Sequence, residues 1–157
     1  DEDAVDKYKP ITYNGVLLNC PTNSTLYGYY QNKRALNITK TCVIFEGEKS
    51  VLKMDSIYDK NNISVAVYGQ KISRKHIKLL IDAGVSNVVL AFDADYKTIQ
   101  EAQQKFEEYK RIAKPLTTYF TVSIIMDFKG RLDYKDAPID KGEKIFNELM
   151  KERIYIW

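Results

Sequence analysis

Four short apolar runs constrain this chain most: "TCVIFE" (41–46), "ISVAVYG" (63–69), "SNVVLAFD" (86–93) and "YFTVSIIM" (119–126). Each is nearly continuous in apolar residues and rich in β-branched side chains, the pattern of a strand covered on both faces. The segments between them change period. Val51, Met54 and Tyr58 fall at helical spacing, as do Ile77, Leu80, Ile81 and Gly84, and then Ile99, Ala102, Phe106, Tyr109 and Ala113. Ser73 stands where a helix N-cap belongs, and Pro115 where a helix must stop. Asp140 and Glu143 have the spacing of a capping box ahead of Ile145, Phe146 and Leu149. Strands alternating with helices predict parallel strands joined by helical crossovers, hence an open α/β sheet. Ligands of such sheets bind beyond the carboxyl ends of the strands.

Residues 1–40 break this rhythm, with turn chemistry at Asn14-Gly15 and Pro21-Thr22 and a helical pattern from about Leu26. They read as a small N-terminal subdomain ahead of a main domain at 41–157. A chain of 157 residues can bury roughly 68–70% of its unfolded surface, so it needs no disulfide or zinc staple. Cys20 and Cys42 have no metal-ligand spacing and read as structural thiols of a reducing cytoplasm. The sequons at Asn23, Asn37 and Asn62 would matter only in a secreted protein. No run approaches a membrane span and no signal peptide is visible, so no membrane partner is expected. The chain begins at Asp1, which suggests a piece of a longer protein. A net charge of +3, with both signs mixed along the chain, is compatible with nucleic acid but does not require it.

The chemistry concentrates where the apolar runs end. Asp93 and Asp95 follow the third run, and in an extended segment residues i and i+2 point the same way. Two charges roughly 6.7 Å apart repel by about 2.5 kcal/mol at an effective dielectric of 20. Both stay mostly ionised at neutral pH, and a cation is the natural relief. Glu46 ends the first run and is followed by Gly47; Asp133, Asp136 and Asp140 follow the fourth. Carboxylates from three loops can hold one or two Mg²⁺ or Mn²⁺ ions, which oxygen-only ligands favour over zinc. A plainer reading stands beside this one. Asp93 and Asp95 could cap a helix, Asp140 could do the same, Glu46 and Asp133 could be solvated loop residues, and His76 could be structural. The aromatic stretch "LYGYYQNKR" fits packing as well as base stacking.

The order of these motifs resembles the Toprim domain, in particular that of DnaG-type bacterial and phage primases. "VIFEGEKS" supplies the Glu-Gly after the first strand, and "AFDADYK" the Asp-x-Asp after the third. Lys135-Asp136-Ala137-Pro138 is similar to the further aspartate loop, and "LNCPTNSTLYG" to the segment ahead of the Toprim fold. The likeness spans about residues 17 to 150. It implies a Rossmann-like, mostly parallel sheet flanked by helices, and nucleotidyl transfer that makes RNA primers. Glu46 would be catalytic, through the metals or as a general acid/base, and Asp93, Asp95 and Asp136 would bind Mg²⁺ (or Mn²⁺). The partners it implies are a single-stranded DNA template, ribonucleoside triphosphates and a replicative helicase. Lys33, Arg34, Lys49, Lys71 and Lys97 are the candidate contacts to phosphate. The segment between Pro21 and Leu26 is shorter than in such primases and lacks an expected lysine, for which Lys33 and Arg34 could substitute. No zinc module is present, so the chain would be a weakly active part of a catalytic core.

Two rivals use the same residues. A Toprim nuclease would direct water at a phosphodiester. A receiver-like signalling module also carries acids at strand ends, but needs an acidic pair after the first strand, where this chain has Glu46-Gly47.

Overall fold

The computed structural model describes residues 11–18 and 20–157. In chain order the elements are β1 (Ile11–Tyr13), β2 (Val16–Leu18), α1 (Tyr29–Thr39), β3 (Thr41–Phe45), α2 (Glu48–Tyr58), β4 (Ser64–Ala66), α3 (Arg74–Asp82), β5 (Asn87–Leu90), α4 (Ile99–Ala113), β6 (Thr121–Ile124), α5 (Glu143–Lys151) and β7 (Ile154–Ile156). The main sheet has the order β4-β3-β5-β6-β7. Strands β3, β4, β5 and β6 are parallel, and β7 pairs antiparallel with β6. The expected α/β class is therefore observed. The strand β7 lies in "IYI", too short a run to announce itself.

Alternation along the strands builds two cores. Cys42, Ile44, Val88, Leu90, Val122 and Ile124 face one way, against Leu36, Leu80, Ala102 and Tyr109. Val43, Phe45, Val89 and Ala91 face the other, against Val51, Met54, Phe146 and Leu149. Both faces of the sheet are thus dry, which is why its strands lack a polar alternation. Helix α1, placed by sequence in the N-terminal subdomain, contributes Tyr29 and Leu36 to the first core. Just before it, Tyr27 bridges to Ala66 at the end of β4. Upstream, β1 and β2 form a hairpin whose turn residues Asn14 and Gly15 both have positive φ, as an Asn-Gly turn predicts.

The caps agree with expectation in part. Ser73 Oγ accepts from His76 N and Ser73 N donates to His76 Nδ1, so the α3 capping box is closed by a histidine. Gly84 takes φ 76° and closes the helix: its N–H reaches Ile81 O, and Val85 N reaches Leu80 O. The buried stripe of α3 is His76, Leu80 and Ala83, whereas Ile81 is exposed. Asp140 does not cap α5. Gly142 is the N-cap, with no side-chain bond, while Asp140 Oδ2 accepts from Ala137 N and Oδ1 pairs with Lys53. The turn at 137–140 takes the carboxylate before the helix begins. Cys42 is buried but Cys20 is exposed, so only the first is a core thiol. The Asn62 side chain is fully buried and donates to Val51 O and Asp55 Oδ1, which leaves no room for a glycan.

Candidate functional site

The parallel register carries Phe45 beside Ala66, Ile44 beside Leu90, and Leu90 beside Ile124. The chain therefore leaves these strands along one edge, and its loops meet there. Asp93 N donates to Glu46 Oε1 at 3.1 Å. Ala94 N donates to Asp136 O at 2.7 Å, and Lys135 N to Ala94 O at 2.9 Å. The loop after β4 joins them: Gly69 N donates to Glu46 O at 3.0 Å, and Gln70 Nε2 to Glu46 Oε1 at 2.8 Å. Glu46, the 93–95 segment and the 135–136 segment are thus fastened to one another by hydrogen bonds. Two non-glycine residues here, Tyr68 (φ 58°) and Lys135 (φ 70°), hold left-handed backbone. Such strain costs of order 1–3 kcal/mol and tends to gather at functional sites.

Asp93 is half-buried, and among the described residues its carboxylate accepts no hydrogen bond and makes no ion pair. Burial first, then Glu46, Asp140 and Asp136, push its carboxyl up to about 7, against the pull of Lys135. The sequence predicts mutual repulsion between Asp93 and Asp95, and the fold avoids it. Asp95 turns to cations instead, with Lys135 Nζ at 2.7 Å from Oδ1 and Lys105 Nζ at 3.4 Å from Oδ2. The bond from Lys135 holds its carboxyl below the usual range. Neither aspartate caps α4, because Thr98 does so by accepting from Glu101 N. Asp136 Oδ2 accepts from Asp133 N at 2.9 Å and lies 3.3 Å from Lys141 Nζ. Exposed Asp133 also pairs with Lys141.

The fit to a cation is therefore uneven. Glu46 and Asp93 offer oxygen to a region of concentrated negative charge, as a hard divalent ion requires. Asp95 and Asp136 are engaged by lysines. Among the described residues no three acidic, histidine or cysteine side chains share a position from which they could hold one ion.

The lysines divide by edge. Lys49 lies in the first turn of α2 beside Gly47, Lys71 follows Gln70, and Lys97 follows the Asp-x-Asp segment. All three belong to loops or helix starts at the edge that carries the acids. Lys97 Nζ lies 4.6 Å from the centroid of the Tyr134 ring, and Lys135 Nζ lies 5.4 Å from it. Lys33 packs over Tyr29 at 5.6 Å. Arg34 shares a groove with Ile38, Lys60 and Asn61, beside the amino ends of the strands. The structure does not bring Arg34 to the acids.

Sequence reading missed Gln70, Lys105, Lys141 and Asp127 as parts of this edge, and named Lys135 in its motif without foreseeing its pairing with Asp95. Asp127 follows an apolar run just as Glu46 and Asp93 do, so its signal was present. It is buried and serves its own loop, accepting from Lys129 N, Leu132 N and Arg131 Nε. Gln70 and the lysines had no such signal, since their roles arise where separate loops meet.

No family model matches the chain. It is 37% identical over 163 residues to the SPbeta prophage-derived uncharacterized protein YorJ of Bacillus subtilis (strain 168), a match that covers 98% of this chain. The chain spans 43% of the length of that relative. Among solved structures it is similar to a DNA primase domain from Pseudomonas aeruginosa, with a TM-score of 0.63, 20% identity, and coverage of 96% of this chain and 46% of that one. It is also similar to the DnaG primase catalytic domain bound to ssDNA, with a TM-score of 0.62, 20% identity, and coverage of 87% and 42%. The Aquifex aeolicus primase, comprising zinc-binding and RNA polymerase domains, gives a TM-score of 0.63 at 16% identity, over 87% of this chain and 32% of that one. The fold is that of DnaG primase catalytic cores.

Proposed function

We propose that the chain is the metal-dependent nucleotidyl-transfer part of a DNA primase that makes RNA primers on single-stranded DNA. The observation that carries this reading is the half-buried Asp93 carboxylate beside Glu46, without a partner among the described residues, at the strand edge where the fold gathers its acids. Primase catalytic cores sharing this fold, one of them bound to ssDNA, support it, as does a prophage-derived relative.

Glu46 and Asp93 would hold Mg²⁺ or Mn²⁺, and Asp136 and Asp95 would join once Lys141 and Lys135 let go. A bound divalent ion would neutralise charge on the triphosphate and favour the attacking hydroxylate. The reaction joins a ribonucleotide 3′-oxygen to the α-phosphorus of an incoming ribonucleoside triphosphate and breaks the bond to pyrophosphate. Glu46 would act through the ion that it helps to hold, and the hydroxyl proton would pass to solvent. The displaced Lys135, with Lys97 and Lys71, would receive phosphate oxygens, because these residues stand in loops along the same edge.

The test is de novo primer synthesis with Mn²⁺ on a single-stranded template. It compares this chain with the longer protein, and each with its Glu46→Gln form. The longer protein should make primers and lose that activity with Glu46→Gln. This chain alone should be slower by orders of magnitude, because orienting a template and two nucleotides is worth roughly 7–11 kcal/mol of barrier and needs more surface. Glu46-dependent degradation of the nucleic acid without primer synthesis would replace this reading with the nuclease one.

A further inference from the structure

We infer that Gln70 is the positioning residue for Glu46: its side-chain amide, together with Asp93 N, occupies one carboxylate oxygen and turns the other towards whatever cation Glu46 and Asp93 hold. The inference rests on the reading of Glu46 given above.

Glu46 is the only acid of the site, among the described residues, whose carboxylate is engaged by neutral donors alone. Gln70 Nε2 and Asp93 N both reach Oε1, at 2.8 and 3.1 Å. Oε2 has no partner among the described residues, so it is the oxygen left to bind. With one N–H donor on Oε1 the carboxylate could rotate about its last torsion, a broad and nearly two-fold well. Two donors converging from different loops remove that freedom. Neither donor is a cation, so Glu46 keeps its full charge for a ligand, unlike Asp95 and Asp136.

The loop after β4 is shaped to deliver this amide. Val67 N still pairs with Phe45 O at 3.1 Å, continuing the β3–β4 ladder. The chain then turns through Tyr68 at φ 58° and Gly69 at φ 128°, two successive residues with positive φ. The turn returns Gly69 N to Glu46 O at 3.0 Å and sets Gln70 over the Glu46 side chain. At φ 128° only glycine is comfortable, and a Cβ on Gly69 would meet no atom within 4 Å. The glycine is therefore there for its backbone and not for space. A loop that only connected β4 to α3 would need neither the strain at Tyr68 nor a side chain reaching back across the sheet.

A double-mutant cycle read by Mn²⁺ binding tests this, with wild type, Gln70→Leu, Glu46→Gln and the double variant. Leucine keeps most of the volume of glutamine and removes the donor. Gln70→Leu should weaken Mn²⁺ binding about 10- to 100-fold, the worth of one hydrogen bond to a charged group. In the Glu46→Gln background the same change should alter binding less than about 2-fold, because Gln70 then has no carboxylate to hold. Equal losses in both backgrounds, or no loss in either, overturn the inference. The bond is also read without metal from the Gln70 side-chain amide signals in a ¹⁵N spectrum. They should be shifted and slow to exchange in the wild type, and should revert to free-amide values in Glu46→Leu, which removes both acceptor oxygens. Amide signals that ignore Glu46→Leu overturn the inference directly. If they respond but the wild type binds no Mn²⁺, the bond stands, while the metal reading of the site and this role for Gln70 both fall.

Discussion

Asp93 shows how one residue can carry the state of a whole site. Its carboxyl is pushed up to about 7 because it is half-buried and faces Glu46, Asp140 and Asp136, with Lys135 opposing them. Its folded value lies above its unfolded value near 4, so the native state binds the proton more tightly. Stability of the metal-free protein must then fall as pH rises from about 4 to about 7, and level off above that. The arithmetic loss is reduced by water at a half-exposed group to on the order of 2 kcal/mol. Asp93→Asn should match wild type near pH 4, be more stable by about that amount at pH 8, and no longer gain stability from Mn²⁺. Thermal melts across pH, with and without Mn²⁺, check this; parallel curves for the two proteins would show that Asp93 is solvated and ordinary.

At the scale of elements, the ends of helices and strands decide what the loops can do. Helix α3 is closed at its start by Ser73 and His76, and the same imidazole reaches across to Thr22 O at 2.8 Å. Because Nδ1 accepts from Ser73 N, the proton sits on Nε2 and is donated to Thr22. Burial lowers the His76 value, so the neutral ring is favoured in the fold. A group lowered in this way contributes stability above its unfolded value of about 6.5, and loses it as pH falls through the folded value. This is opposite in sign to Asp93, and single variants separate the two. His76→Ala should cost about 1–2 kcal/mol at pH 8, from the lost cap and cross-link. It should flatten the fall in stability below pH 6.5, as urea titrations at several pH values would show. The same logic explains why Asp140 is not a cap. Cap spacing is a local signal, and the 137–140 turn together with Lys53 competed for the carboxylate and won.

For the whole molecule, binding of nucleic acid would depend on which edge bears the useful charge. Lys49, Lys71 and Lys97 stand along the acidic edge, whereas Arg34 lies towards the other. Neutralised phosphates dominate affinity and make it salt-dependent. Changing Lys49, Lys71 and Lys97 together to glutamate should weaken binding of single-stranded DNA. It should also lower the salt slope, by about 0.7 for each phosphate no longer neutralised. Lys33→Glu with Arg34→Glu should do less. Fluorescence anisotropy over a salt series distinguishes them, and a larger effect from Lys33 and Arg34 would move the template path onto α1. A wild-type chain that binds no single-stranded DNA at low salt would argue against any such path.

Period and composition determined the α/β alternation, the parallel strands and the edge at which the acids emerge. These follow from local physics: apolar runs covered on both faces suit parallel strands between two helix layers, and the loops that leave them carry the charges. Glu46 and Asp93 were legible as charges at the ends of apolar runs, and Asp136 through the resemblance of its loop. Tertiary structure alone decided how each acid is partnered. Lys135 on Asp95 and Gln70 on Glu46 come from separate loops, and no spacing along the chain encodes their meeting. The antiparallel β7, the unused cap at Asp140 and the place of α1 in the core were decided in the same way. Each depended on which neighbour reached a backbone or carboxylate group first, a competition that exists only once the chain is folded.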